Sequence, residues 1–303
     1  MKNNKVLMIA ALLGTMLVGC QIEQEIIESP VDQPSTVKLT IQVSKESDDT
    51  KALDLDGKRL KATWAAGEKV DVYLGENRLG TLEVLADPDP GATATLSGTI
   101  TKTNDLTDAS TLTLLFPGRD DHAWTYLGQD GSYLSGSLAA DFDYTLATLD
   151  VDSVSDSEVE ATVSETFAPQ QSVYRFGFKI GGAGDAIAVK SFTVSSNQNK
   201  LVQTRTNDGG TWTSNYGLLS VTTGTAPDGN LYCVAIRNEN TSVNDTYTFT
   251  VVGTNDALYE GTQAVGSSNL GQGRFLSAKG INISQKVMAP AAVGTISSVN
   301  AVL

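Results

Sequence analysis

The residues that could do chemistry are few. His122, the single histidine, stands in Arg119-Asp120-Asp121-His122. Histidine clusters around a metal are therefore impossible. A Ser-His-Asp triad would have to use His122, and no Gly-x-Ser-x-Gly elbow occurs anywhere. No glycine loop of the phosphate-binding or dinucleotide type is present either. Asp120 with Asp121, and Asp87 with Asp89, are pairs of the ligand type calcium takes if loop carbonyls converge on them. In runs such as Asp87-Pro88-Asp89-Pro90-Gly91 they read as solvated turn residues. Trp64, Trp124 and Trp212 offer flat apolar faces suited to stacking on a sugar. Trp64 reads as core, whereas Trp124, between His122 and Tyr126, and Trp212, after Asp208-Gly209-Gly210-Thr211, lie nearer loops and are ligand candidates. The expectation is a chain without catalytic, cofactor-binding or metal-ligating residues.

Two cysteines remain. Cys20 closes Leu17-Val18-Gly19-Cys20, behind a basic start, Met1-Lys2-Asn3-Asn4-Lys5, and an apolar run over residues 6–18. That is the build of a secretory signal, too short to span a bilayer as a helix. Leu-Val-Gly-Cys resembles a bacterial lipobox, which makes Cys20 the lipidated first residue of the mature chain. The several acyl chains added together would be the membrane anchor. With Cys20 lipidated no internal disulfide can form. Cys233, in Leu231-Tyr232-Cys233-Val234-Ala235-Ile236, then reads as a small core residue.

The chain carries 21 Lys and Arg against 35 Asp and Glu, a net charge of −14. Removing residues 1–19 discards Lys2 and Lys5 and leaves −16. A surface of that sign repels phosphate backbones, so nucleic acid is excluded as a partner. Acidic residues just behind Cys20 (Glu23, Glu25) look like a surface-export signal.

Residues 20–35, with Pro30 and Pro34, read as a tether. Over residues 37–43 Val37, Leu39, Ile41 and Val43 alternate with polar residues, the period of a half-buried strand. Burying four such side chains is worth roughly 1.5–3 kcal/mol each. An acidic loop follows, and Lys51-Ala52 in it is a place for a trypsin-like protease to enter. Short candidate strands succeed one another at 68–74, 79–85, 92–100, 111–116, 133–138 and 159–163, with turn chemistry between them. After a pause at Phe167-Ala168-Pro169-Gln170-Gln171-Ser172 the series resumes at 173–180, 186–194, 200–206, 217–223, 230–237, 247–252, 257–264 and 278–284. The spacing predicts an all-β protein of two sandwiches, an N-terminal domain over 36–165 and a C-terminal domain over 166–286. Residues 287–303 carry no charge. Val293, Ile296, Val299 and Val302 make that tail a segment that wants burial, either as a last edge strand of its own domain or on a neighbour.

The order of Cys20, the strand 37–43, the loop ending Thr50-Lys51-Ala52-Leu53 and Ala62-Thr63-Trp64-Ala65-Ala66-Gly67-Glu68-Lys69-Val70-Asp71-Val72-Tyr73 resembles the fimbrillin family of type V pilins and surface lipoproteins. Tyr174-Arg175-Phe176-Gly177-Phe178-Lys179-Ile180 is similar to the start of that family's second domain. The resemblance implies two transthyretin-like Greek-key β-sandwiches in tandem and a lipidated precursor at the outer membrane. It further implies cleavage by a surface Arg- or Lys-specific protease, here at Lys51-Ala52, with Arg59-Leu60 a poorer second site. The strand 37–43 would then leave with the lipid, and the C-terminal segment of another subunit, here 287–303, would take its place. Such joining is head-to-tail and builds a filament. After the cut, 28 acids would stand against 16 bases, a net −12 per subunit. The alternative is an uncleaved surface lipoprotein of the same fold, acting as a fimbrial anchor or tip or as a glycan- or protein-binding adhesin.

Overall fold

The computed structural model describes residues 35–45, 54–56, 59–61, 63–88, 90–120, 123–132, 137–182, 184–208, 211–223 and 228–286. All of them belong to one unit spanning Pro34–Leu303. Cys20, Lys51, Ala52, His122 and the tail 287–303, with Val293, Ile296, Val299 and Val302, lie outside the described residues, as do Asp89 and Asp121.

The chain is all-β, apart from short helical pieces. In order, the strands are Thr36–Ser44 (β1), Asp54–Asp56 (β2), Arg59–Lys61 (β3), Lys69–Leu74 (β4), Asn77–Val84 (β5), Thr93–Thr101 (β6), Thr111–Phe116 (β7) and Ala123–Thr125 (β8). A helix, Ser137–Phe142 (α1), precedes Thr145–Val154 (β9) and Glu158–Pro169 (β10). There follow Ser172–Ile180 (β11), Val189–Ser196 (β12), Val202–Asp208 (β13), Thr211–Tyr216 (β14), Leu219–Thr222 (β15), Tyr232–Ile236 (β16), Asp245–Gly253 (β17), Leu258–Val265 (β18) and Phe275–Gln285 (β19).

Seven strands of the first half close in the order β1-β10-β9-β7-β4-β5-β6. The two layers expected of a sandwich are thus joined at one corner by the parallel pairing of β1 with β10, which turns the sandwich into a barrel. Local chemistry explains the hairpins. Between β4 and β5 the turn is Gly75-Glu76, and Gly75 adopts φ +56°, the positive value a two-residue hairpin demands. The inward residues of β1, β4, β5, β6, β7 and β9 form one core around Leu39, Leu82, Leu96 and Leu149.

Between Pro169 and Ser172 the chain leaves the barrel. Seven further strands form a sheet in the order β15-β12-β17-β18-β19-β11-β16, and β14-β13-β8 make a small three-stranded sheet. The second core is aromatic, with Phe176, Phe178, Phe192 and Phe249 in mutual edge and tilted contact. It is also joined by the first half of the chain. Trp124, Tyr126, Leu138, Phe142 and Tyr144 pack into it, and β8 pairs with β13. These side chains thus serve the second core although they precede β9 and β10 of the barrel in the chain.

Two expectations need correction. Of the strand expected at 133–138, the described end, Ser137 and Leu138, lies in α1 instead; residues 133–136 are outside the described set. The pause read at 167–172 is shorter, because β10 runs on through Phe167 to Pro169, pairing with β9 as far as Thr145.

Candidate functional site

Val37, Leu39, Ile41 and Val43 all point into the barrel, at 1, 0, 4 and 2% exposure. Strand β1 pairs with β6 along its whole length, from Thr36 opposite Thr101 to Ser44 opposite Thr93. On its other side it meets β10 only at Lys38 opposite Glu158 and Leu39 opposite Val159. The expected detachable edge is thus a stave held on both sides, because closure of the barrel brings β10 against it. One of its two seams is nevertheless short.

The alternation that buries four β1 side chains does not stop at Val43. Its next position is Lys45, and the same parity carries the lysine inward, to 2% exposure. The Lys45 amide donates to the Ala92 carbonyl at 3.0 Å, extending the β1–β6 edge. The Lys45 ammonium lies 4.1 Å from the Trp64 ring centroid and 3.8 Å from that of Phe116. It donates to Asp143 Oδ2 at 3.3 Å and stands 3.7 Å from Glu68 Oε2. Burial pushes the Asp143 carboxyl above the ordinary aspartate range, against the opposing effect of the Lys45 charge.

Three elements position this set. Trp64 and Glu68 come from the turn before β4, where the Ala65 amide donates to Glu68 Oε2 at 3.0 Å and the Gly67 φ of +84° makes the turn. Phe116 ends β7, and Asp143 sits between α1 and β9. Trp64 packs edge-on against Phe116 at 5.2 Å and Phe167 at 5.1 Å, so the sugar-stacking alternative does not apply to it. The family-like segment Thr63-Trp64-Ala65-Ala66-Gly67 is the wall of this chamber. Sequence reading singled out Trp64 but missed Lys45, Glu68 and Asp143. The continued odd-numbered parity was the signal for Lys45, and none marked Asp143.

The other candidates fall into place differently. Trp124 is not a loop residue: it is 2% exposed in β8, stacked on Tyr144 at 5.0 Å and tilted against Trp212 at 4.5 Å. Trp212 is half-buried in β14, with the Arg205 guanidinium 4.3 Å from its ring. Cys233 is buried in β16, and burial pushes its thiol up to about 12, which keeps it protonated and inert. Among the described residues no group of three or more His, Cys, Asp or Glu converges as a metal site. No helix among them is long and apolar enough to cross a membrane.

No family model and no curated protein matches the sequence. Among solved structures, the chain is similar to a candidate cell adhesion protein from Bacteroides uniformis, at 16% identity and TM-score 0.44, over 83% of this chain and 98% of that one. It is also similar to a fimbrial protein from Bacteroides ovatus, at 9% identity and TM-score 0.34, over 82% of this chain and 49% of that one. A third similarity is to the shaft pilin SpaA of Lactobacillus rhamnosus GG, at 11% identity and TM-score 0.33, over 84% and 99% of the two chains.

Proposed function

We propose that the chain is a non-catalytic structural subunit of a cell-surface fimbria or adhesion assembly, lipidated at Cys20 and displayed on the outer membrane. The observation that carries this reading is the place of β1. The strand that follows the tether 20–35 is a stave of the first barrel with its inward side chains buried, so the anchor would be built into the fold itself.

What becomes of β1 defines the subunit's role. The buried Lys45 favours a subunit that keeps its own strand, as an anchor, tip or adhesin. Withdrawing β1 would strand Asp143, and Glu68 beside it, without their cation, and an unpaired charge in such a site costs about 3–5 kcal/mol. The tail 287–303 carries no charge, so a copy of it laid in the β1 groove could not replace the ammonium. The second reading is a stalk subunit cut after Lys51 and polymerised by strand exchange. It is favoured by the short β1–β10 seam and by the apolar spacing of Val293, Ile296, Val299 and Val302.

Labelling cells with a fatty-acid analogue tests the shared part. Wild-type chain should incorporate the label and be shaved from intact cells by added protease, and Cys20→Ala should abolish labelling. Unlabelled wild-type chain, or chain protected inside intact cells, would contradict a lipidated surface subunit.

A further inference from the structure

We propose that Lys45 and Asp143 become joined in the folded chain by an intramolecular isopeptide bond, with Glu68 as the proton carrier. The bond deepens the retained-strand reading, although its chemistry rests on three side chains alone.

The geometry is that of a reaction held at its threshold. Lys45 Nζ stands 3.3 Å from Asp143 Oδ2, one bond away from the carbon it would attack, and groups held together in this way react with large effective concentrations. The pair is largely shielded from water: the two side chains are 3 and 11% exposed, and the Trp64 and Phe116 rings cover the amine. In such a chamber two full charges are costly, so passing one proton from ammonium to carboxylate yields a neutral amine and a neutral acid, the reactive forms. Burial raises the proton affinity of Asp143 in the same sense. Glu68 Oε2 is 3.7 Å from the amine and is steadied by the Ala65 amide. Its side chain is 29% exposed, which places the carboxylate oxygen at the chamber's mouth, within reach of the amine.

The step balances without any co-reactant. The Lys45 nitrogen attacks Asp143 Cγ, forming the C–N bond, while Glu68 takes a proton from the nitrogen. Glu68 returns that proton to the departing hydroxyl, the Cγ–O bond breaks and one water leaves. An ammonium and a carboxylate have become an amide and water, and Glu68 is regenerated. The product carries no charge into the low-dielectric interior, which drives the condensation.

The consequence is mechanical. Lys45 is on the lipid side of Lys51, and Asp143 is on the barrel side. Cleavage after Lys51 would then cut the loop yet leave Cys20, the tether and β1 covalently attached to the rest of the subunit. Such a chain is an anchor that survives the protease.

Intact-mass measurement of the purified, denatured full chain is the test, with Lys45→Arg and Glu68→Gln variants alongside. Wild type should be lighter than its processed sequence by one water. Digestion should give a branched peptide joining the segment with Lys45 to that with Asp143. Lys45→Arg should show the full mass, and Glu68→Gln, which leaves the barrel core untouched, should lose most of the deficit. Wild type at full mass, or a deficit with Lys45 and Asp143 in separate peptides, overturns the bond. A Glu68→Gln chain as fully linked as wild type overturns the role given to Glu68. A chain at full mass that nevertheless holds β1 after cleavage would sink the bond and leave the retained-strand reading standing.

Discussion

Gly98 has no side chain because none would fit: a Cβ there would lie 2.4 Å from the Thr81 carbonyl oxygen across the β5–β6 ladder. Gly98 also faces Leu39 of β1 in the register. Gly98→Ala should therefore push β6 away from a neighbour and cost about 1–3 kcal/mol, read as a lowered denaturation midpoint. Glu239 gives a prediction of a different kind. Burial pushes its carboxyl up, but hydrogen bonds from Tyr216 and Ser214 and the charges of Arg237 and Arg205 more than offset that and hold it below the ordinary range. A lowered folded value means the unfolded chain binds the proton more tightly. The contribution is present above the unfolded value of about 4.3 and is lost as pH falls through the folded one. Thermal melts between neutral and acid pH should show a smaller loss of stability for Glu239→Gln than for wild type. At this scale the sequence was only partly readable. Val37, Leu39, Ile41 and Val43 announce their burial by alternation, and Lys45 continues the same parity. Asp143 became a partner only through the distant meeting of α1 and β9 with the end of β1, which no local pattern records.

Strand β1 is the element on which the barrel's closure depends, since it alone bridges β6 and β10. Leu39, fully buried at its centre, should lose about 2–5 kcal/mol on replacement by Ala. Chemical denaturation of Leu39→Ala checks this, and a loss below about 1 kcal/mol would mean that the groove is loosely filled. Strands with strong alternation or aromatic content, β1, β7, β11 and β17, were legible because their two faces differ in polarity. Strand β9 was missed because its inward face reads Thr145, Ala147, Leu149 and Val151, too small and polar at its start to stand out. Strand β14, Thr-Trp-Thr-Ser-Asn-Tyr, was missed because every position is at least partly exposed. The hairpin of β2 and β3 places Arg59, the second candidate cleavage site, within a paired strand. A protease needs an extended, unpaired segment, so this pairing counts against a cut at Arg59.

At the scale of the whole molecule, the all-β class followed from the regular spacing of short strands, whereas closure of the barrel and the packing of Trp124, Tyr126, Leu138, Phe142 and Tyr144 into the second core did not. Both depend on contacts distant in sequence, β1 with β10 and β8 with β13. The proposed subunit keeps β1 in its first barrel. The most direct measurement of this is limited trypsin digestion of the folded chain, followed by native size separation and sequencing of the N-termini that travel together. After the cut at Lys51, the segment bearing β1 should co-migrate with the fragment beginning at Ala52, in a particle the size of one subunit. Departure of the β1 segment, with the remaining chains joining into a ladder of multimers, would contradict it.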